Sequence, residues 1–159
     1  MPLEDDNQRR LVAAQGFLEL GLPLDANAEL EEIDADMRNL PEVLAVRLEI
    51  YRVLGRWELM QTVAKRLSLV EPHQPSWIVS LAEATREVES AEAAYEILQK
   101  AAESHPNAAN LHYKLACYGA VVGDITAAKH HISRAFELNK ALRLQALDEK
   151  DLRAMWDTL

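Results

Sequence analysis

The sequence is poor in residue types on which several common kinds of protein depend. Of its 159 residues, one is cysteine, five are glycine and 6% are aromatic. The single Cys117 excludes an internal disulfide and favours a reducing compartment, so we expect a cytoplasmic protein. So few glycines and aromatics leave little material for a β-sandwich or for a glycine-rich loop that binds phosphate.

Basic residues and long apolar runs are also scarce. Lys and Arg number 17 against 26 Asp and Glu, which gives a net charge of -9. Because clustered Lys and Arg hold the phosphate backbone of nucleic acids, this balance predicts no nucleic-acid partner. No apolar run approaches the ~20 residues that a membrane-spanning helix needs. The acidic start Met-Pro-Leu-Glu-Asp-Asp does not resemble a secretory signal, so we expect neither membrane attachment nor export.

A repeat of 34 residues organises the chain. Pro41 and Pro75 are 34 positions apart, and so are Gly21 and Gly55. This period divides the sequence into four blocks and a tail, which together predict a single domain over residues 1–159. The blocks are 7–40, 41–74, 75–108 and 109–142, and the tail is 143–159.

Aligned positions of the four blocks form apolar seams with helical spacing. Eighteen of twenty aligned positions are apolar, whereas a hydrophobic content of 49% would give about ten. Spacings of three and four residues place each seam on one face of a helix, so every block predicts two paired helices. The aligned sets are Ala14, Leu48, Ala82, Ala116; Phe17, Tyr51, Thr85, Gly119; Ala26, Met60, Ala94, Ala128; Leu30, Ala64, Leu98, Ile132; and Ile33, Leu67, Ala101, Ala135.

Glycine, proline and capping residues predict where these helices begin and end. Glycines between paired helices suit a turn with positive φ, Ser90 and Asp124 are suited to cap the following helices, and Pro41 and Pro75 suit first helical turns. The predicted helices are 8–20, 24–38, 41–54, 57–70, 75–88, 91–104, 108–121 and 124–138.

These features resemble the tetratricopeptide-repeat family. Its pattern is a 34-residue helix-turn-helix with Trp-x-x-Leu-Gly-x-x-Tyr, then Ala-x-x-x-Phe, then Pro. The residues that match are Leu44, Tyr51, Gly55 and Pro72; Ile78, Leu81, Ala82, Ala94, Leu98, Ala101 and Pro106; and Leu115, Ala116, Gly123, Asp124, Ala128, Ile132 and Ala135. His112 and Lys140 depart from the pattern in the last block, as Arg10 and Arg38 do in the first. The resemblance implies an all-α, right-handed α-solenoid of four helix-turn-helix repeats.

The tail predicts a helix that caps this stack. Leu152, Met155, Trp156 and Leu159 share one helical face, and Asp148 with Asp151 would favour a helix start. A repeat stack leaves an apolar face on its last helix, which a terminal helix usually covers. A detachable helix that docks elsewhere is the alternative.

The resemblance also implies a function, because the first helices of tetratricopeptide repeats line a concave groove that binds protein. The stripe formed by one face of each first helix is charged in the middle repeats and apolar in the last, around Tyr113. Such a groove suits a peptide or helix of mixed charge with an apolar anchor. The groove residues expected to contact the partner are Glu42, Glu49, Arg52, Ser76, Val79, Glu83, Arg86, Asn110, Tyr113 and Cys117.

Two pairs in this groove repeat one period apart, Glu49 with Arg52 and Glu83 with Arg86. They are open to two interpretations. As i, i+3 ion pairs they would stabilise their own helices by ~0.2–0.5 kcal/mol each. As a ladder of charges they would instead recognise a partner.

No motif of catalysis or cofactor binding is present, so we expect a non-enzymatic adaptor with no cofactor and no metal. The adjacent His130 and His131 point about 100° apart on a helix and cannot both bind one metal unaided. His112 is expected in the core, and Cys117 as inert packing. Two alternatives stay open: a self-associating module, such as a homodimer, in which Leu11 and Leu18 lie on an open side, and a regulatory subunit of an enzyme complex.

Overall fold

Proline and glycine delimit helices in the structure as the repeat predicts. The computed structural model describes residues 3–156, and every regular element in that range is helical. Pro41 and Pro75 lie in the first turns of their helices, where a missing backbone donor costs nothing. Gly55 and Gly123 end two helices with φ of 68° and 92°, a left-handed conformation that glycine adopts without steric penalty.

The two predicted N-caps are confirmed. The Ser90 hydroxyl accepts a hydrogen bond from the Ala93 backbone N–H at 3.1 Å. An Asp124 carboxylate oxygen accepts one from the Ala127 N–H at 3.3 Å. Each bond satisfies a backbone donor that has no partner inside the first turn of its helix.

The helices belong to two compact units, divided between Val70 and Glu71. In the first unit, α1 pairs with α2 and α3 pairs with α4. The expectation of one domain over residues 1–159 stays a prediction. The elements of this unit are α1 (Asp5–Glu19), α2 (Pro23–Glu31), a 3-10 turn (Ala35–Met37), α3 (Pro41–Leu54) and α4 (Trp57–Val70).

In the second unit, α5 pairs with α6, α6 with α7, and α7 with α8, and α5 also contacts α7. Three short helical segments follow the last pair. The elements are α5 (Pro75–Val88), α6 (Ala91–Ser104), α7 (Ala109–Val122), α8 (Ile125–Leu138), α9 (Leu142–Leu147), a 3-10 turn (Lys150–Leu152) and α10 (Arg153–Trp156).

The predicted bounds of α3, α4, α5 and α6 are confirmed, and those of α7 and α8 differ by at most one residue. The prediction for α2 was wrong, because the helix ends at Glu31 and not at residue 38. Asn7 on α1 holds the chain beyond that end: its side chain donates to the Asp34 carboxylate and accepts from the Asp34 N–H, both at 3.1 Å. These two bonds fix Asp34 in an extended conformation that no helix could continue.

The apolar seams form the cores of the two units. Seventeen of the twenty aligned residues are buried, and Phe17, Tyr51 and Ala101 are half-buried. Thr85, the one polar side chain in the set, is also buried, and its hydroxyl donates a hydrogen bond to the Leu81 carbonyl at 2.7 Å. A polar group satisfied within its own helix adds little cost to the core.

The tail packs on the last helix pair, but it is not one continuous helix over 143–159. The Asn139 side chain accepts from the Ala141 N–H just before α9, and that helix ends at Leu147. The predicted apolar face is nevertheless used, since Leu152 and Met155 are fully buried. Leu159 lies outside the described residues.

The expectation that Leu11 and Leu18 lie on an open side was wrong. Leu11 is buried in the core of the first unit, and Leu18 packs half-buried against the same core. The apolar seam of α1 is wider than the repeat predicts, because α2 and α3 both pack against α1. These two leucines therefore give no reason to expect self-association.

Candidate functional site

The second unit carries seven of the ten predicted groove residues on α5 and α7. Ser76 and Asn110 are exposed near the starts of these helices. Half-buried side chains occupy the rest of the α5 stripe, namely Val79, Glu83 and Arg86. Because α5 and α7 contact each other, they present one shared face, which we call the α5–α7 face.

A segment from later in the chain covers part of this face. We call it the closing segment, residues 148–156. Its central contact is a two-point ion pair: Arg86 donates to both carboxylate oxygens of Asp151, at 2.6 and 2.9 Å. The Arg86 guanidinium also lies 5.0 Å above the Tyr118 ring. Bidentate Arg–carboxylate contacts are among the stronger hydrogen-bonded pairs in proteins, and an aromatic face adds attraction for the cation.

Tyr113 and Cys117 lie beneath this segment and do not line an open groove. Each is 1% exposed, in a cluster that also contains Leu152 and Met155. Burial is the main reason that the pKa of the Tyr113 hydroxyl is raised, and the nearby Cys117 and Glu149 add to the effect. The sequence predicted both residues to face a partner, because a 34-residue period cannot show what a non-repeating tail covers.

Cys117 belongs to a group of potential metal ligands among the described residues. Its Sγ and the carboxylate oxygens of Glu149 and Asp151 lie within 4.8 Å of one another. Burial, with a further contribution from Glu149, raises the pKa of the Cys117 thiol to about 12, so the thiol keeps its proton at neutral pH. A metal binds the thiolate, and Asp151 is already engaged by Arg86. We interpret the group as part of the closing contact.

The histidines of the second unit form a short row of imidazoles. His112 is buried, as predicted, and its Nε2 lies 2.7 Å from the Pro106 carbonyl oxygen, so this nitrogen donates. Its Nδ1 lies 3.3 Å from the Nδ1 of His131, whose ring stacks on it at 5.5 Å. With Nε2 as its donor, a neutral His112 accepts at Nδ1, and His131 donates. Burial, followed by repulsion from His112 and His130, lowers the pKa of His131.

The three remaining groove residues lie on α3 of the first unit. Glu42 and Glu49 are exposed and Arg52 is half-buried. Arg52 donates to Glu49 within the helix, as the intrahelical interpretation of this pair predicts. For the corresponding Arg86, the sequence period did not predict the partner that the structure shows, Asp151.

The first unit also contains a cavity of about 390 Å³ that the sequence did not predict. Its floor includes Leu44 and Val63, and three arginines stand around it, Arg38, Arg47 and Arg66. Glu31 engages two of them, at 3.6 Å from Arg38 and 3.1 Å from Arg47. One carboxylate is therefore shared by two of the three arginines around this cavity.

No helix among residues 3–156 is both long and apolar enough to cross a membrane.

Comparison with known proteins places the fold. No family profile matches the sequence, and no curated protein matches it. The structure is similar to MamA, residue 41 to the end, from Desulfovibrio magneticus RS-1, with a TM-score of 0.72 and 16% identity over 99% of this chain and 94% of that one. It is also similar to TTC0263, a thermophilic tetratricopeptide-repeat protein of Thermus thermophilus, with a TM-score of 0.71 and 20% identity over 95% and 87%. The chain has an all-α, tetratricopeptide-repeat-like fold.

Proposed function

We propose that the protein is a non-catalytic interaction scaffold that binds a peptide or helix of a partner protein on the first helices of its repeats. The observation that carries this proposal is the α5–α7 face. It holds a short stretch of polypeptide through the bidentate Arg86–Asp151 ion pair and through a 3-10 turn on α7 that buries Leu152, and the segment continues onto α8 with Met155 fully buried. A charged contact beside apolar anchors is how helical grooves recognise peptides.

The exposed part of α3 extends the same proposal to the first unit. Glu42 and Glu49 are exposed there, and the Arg52 side chain, which pairs with Glu49, is 28% exposed. The partner that fits has mixed charge and an apolar anchor, and we propose no nucleic acid or membrane as partner. A lone cysteine kept as a thiol suits a cytoplasmic location.

The chemistry of the described residues supports a non-enzymatic role. The one thiol is buried and protonated at neutral pH, and the buried imidazole of His112 is engaged by a backbone carbonyl and by His131. A nucleophile needs an activating base within hydrogen-bond reach, and a general base needs access to substrate. Neither Cys117 nor His112 meets these conditions.

Selection of a random peptide library against the purified full-length protein tests the proposal. We expect enriched peptides that combine charge with an apolar anchor, and calorimetry should show that Arg52→Glu weakens part of this set by about tenfold, the loss of one charged contact. Lys65→Glu, an equal change of charge at an exposed position of α4, is the control.

Each result of this selection is informative. Failure to enrich any peptide would contradict the scaffold proposal. Enriched peptides that bind Arg52→Glu as well as wild type would exclude α3 as the binding face. Light scattering on the same samples separates a monomeric adaptor from a homodimer, because only the dimer would double the mass at all concentrations.

A further inference from the structure

We propose that the closing segment is an internal occupant of the peptide-binding α5–α7 face, and that the external partner carries the same pattern: an acidic residue followed immediately by an apolar residue, with a second apolar residue three positions later. In this chain Asp151, Leu152 and Met155 supply the pattern. The inference rests on the proposed function and deepens it, since it assigns both the chemistry of the partner and the way in which access to the face is controlled.

The ion pair shows that the face is built for a carboxylate. Arg86 and Asp151 are 65 positions apart, so the contact does not stabilise a local turn. The guanidinium is held from below by the Tyr118 ring while its two nitrogens point at the carboxylate oxygens. A cation fixed before its ligand arrives loses little freedom on binding. The same arrangement would accept an acidic side chain from another protein.

The apolar residues of the closing segment, Leu152 and Met155, are fully buried against the last helix pair. Leu152 is 0% and Met155 1% exposed. The 3-10 turn that contains Leu152 packs on α7, and α10, which contains Met155, packs on α8. Buried residues occur on α7 in nearly every turn, Tyr113 and Cys117 among them. The closing segment therefore covers the apolar side chains of α7 as a bound peptide would.

The fit of the closing segment is incomplete. The Tyr113 hydroxyl and the Trp156 indole Nε1 are buried without a hydrogen bond of normal geometry among the described residues, although Glu149 lies near the hydroxyl. A buried polar atom that lacks a partner destabilises the contact that buries it. A partner that supplies a well-placed acceptor to the Tyr113 hydroxyl would bind the same face more favourably than the segment does, and Trp156 would leave the face together with the segment.

The helical elements of the closing segment are too short to be stable on their own. Its regular parts are a 3-10 turn of three residues and a helix of four residues. Helices this short do not form alone in water, so their structure depends on docking. The segment competes because it is tethered, which gives it a local concentration of about millimolar order. A partner must bind more tightly than this to displace it.

A labelled peptide of residues 146–156 tests the inference when it is added to full-length variants and followed by fluorescence anisotropy. Asp151→Lys removes the internal ion pair and leaves α5 and α7 unchanged, so we expect it to bind the peptide at least about tenfold more tightly than wild type. Asp148→Lys makes the same change of charge at an exposed position of the segment and should bind as weakly as wild type. Equal binding by Asp151→Lys and wild type would overturn the inference.

A second variant keeps the test decisive if Asp151→Lys does not fold. Arg86→Asp should reject the native peptide and bind a peptide in which Asp151 is replaced by Arg. The double variant Arg86→Asp/Asp151→Arg should close again and bind both peptides as weakly as wild type does. A face that binds native and reversed peptides equally would show that the charge pair plays no part in recognition.

The outcomes separate this inference from the proposed function. If library peptides bind in an Arg52-dependent manner while the 146–156 peptide does not bind the opened variant, the inference is wrong and the scaffold proposal stands. If only the 146–156 peptide binds, the face is a closure within the chain, and both the scaffold proposal and the external partner of this inference fail. A dimer of wild type that Asp151→Lys abolishes would mean that a second copy supplies the segment, which would overturn the external partner.

Discussion

At the scale of single residues, His131 is the group that most directly links the fold to pH. It is half-buried on α8, with His112 stacked on one side, His130 edge-on at 5.7 Å, and the Asp124 carboxylate opposing their effect. Burial is the largest cause of its lowered pKa, and the two imidazoles add to it. The folded protein therefore binds a proton at His131 less readily than the unfolded chain does.

The direction of the pH dependence follows. Below an ordinary histidine pKa of about 6.5, the unfolded chain binds more protons at this position than the folded chain, so stability falls as the pH falls. The loss is complete once the pH lies below the lowered pKa of folded His131. We expect the urea midpoint to decrease between pH 7.5 and 5.5, and His131→Asn, whose amide can still donate to His112, to reduce that decrease.

His73→Asn is the matched control, because His73 is exposed in the same unit. Its pH profile should follow that of wild type. Identical profiles for wild type and His131→Asn would show that another group controls the dependence.

At the scale of helices, two glycines inside helices have opposite roles. A Cβ added to Gly16 on α1 would meet nothing within 4 Å, whereas one added to Gly119 on α7 would lie 3.3 Å from the ring and hydroxyl of Tyr95. Tyr95 cannot easily move away, because its hydroxyl donates to Asp124 at 3.2 Å and the residue is 7% exposed. Gly119 thus allows α6 and α7 to approach closely.

This contrast predicts opposite effects of the same substitution. Gly16→Ala should raise the free energy of unfolding by about 0.5–1 kcal/mol, the gain expected for alanine over glycine inside a helix. Gly119→Ala should lower it by about 1 kcal/mol, because overpacking against Tyr95 outweighs that gain. Urea titrations of the two variants measure both values. Adding Tyr95→Leu to Gly119→Ala should recover part of the loss, and equal stabilisation by both alanines would contradict the packing argument.

Helices are also the scale at which the sequence was most informative. The bounds of α3 to α6 follow from seams, caps and breaks that all lie within 34 residues of one another. The end of α2 could not be predicted, because Asn7, a residue of another helix, holds Asp34 through two hydrogen bonds. Local periodicity predicts the bounds of a single helix well, but it carries no information about a hydrogen bond to a residue 27 positions away in the sequence.

At the scale of the whole molecule, the sequence predicted which residues form the candidate site but not that the closing segment covers them. The repeat identified Arg86, Tyr113 and Cys117 as members of one face. Asp151 and Leu152 were visible only as a helix start and a capping face, since nothing in a period relates the tail to α5. Two features of the sequence could have suggested the contact. The tail carries an acidic residue, Asp151, next to the apolar Leu152, and two first helices carry an arginine 34 positions apart, Arg52 and Arg86.

Cys117 reports on this closed state, because it is the only cysteine in the sequence. The thiol is 1% exposed and its pKa is raised to about 12, chiefly by burial. Since the thiolate is the reactive form, a pKa near 12 in place of an ordinary value of about 8.5–9 leaves roughly a thousandfold less of it at pH 8, before steric protection is counted. We expect Ellman's reagent to react with the native protein at least about a hundredfold more slowly than with the urea-unfolded chain.

Opening the closing segment should remove much of this protection. Asp151→Lys should accelerate the reaction by at least about tenfold, because Cys117 then gains both solvent and distance from Glu149, whereas Asp148→Lys should react at the wild-type rate. Adding an excess of the 146–156 peptide to Asp151→Lys should slow the reaction again, since the peptide covers the same thiol. Rapid modification of the wild-type protein would mean that the segment leaves the α5–α7 face freely, and an unchanged rate in Asp151→Lys would mean that the Arg86 ion pair does not hold it there.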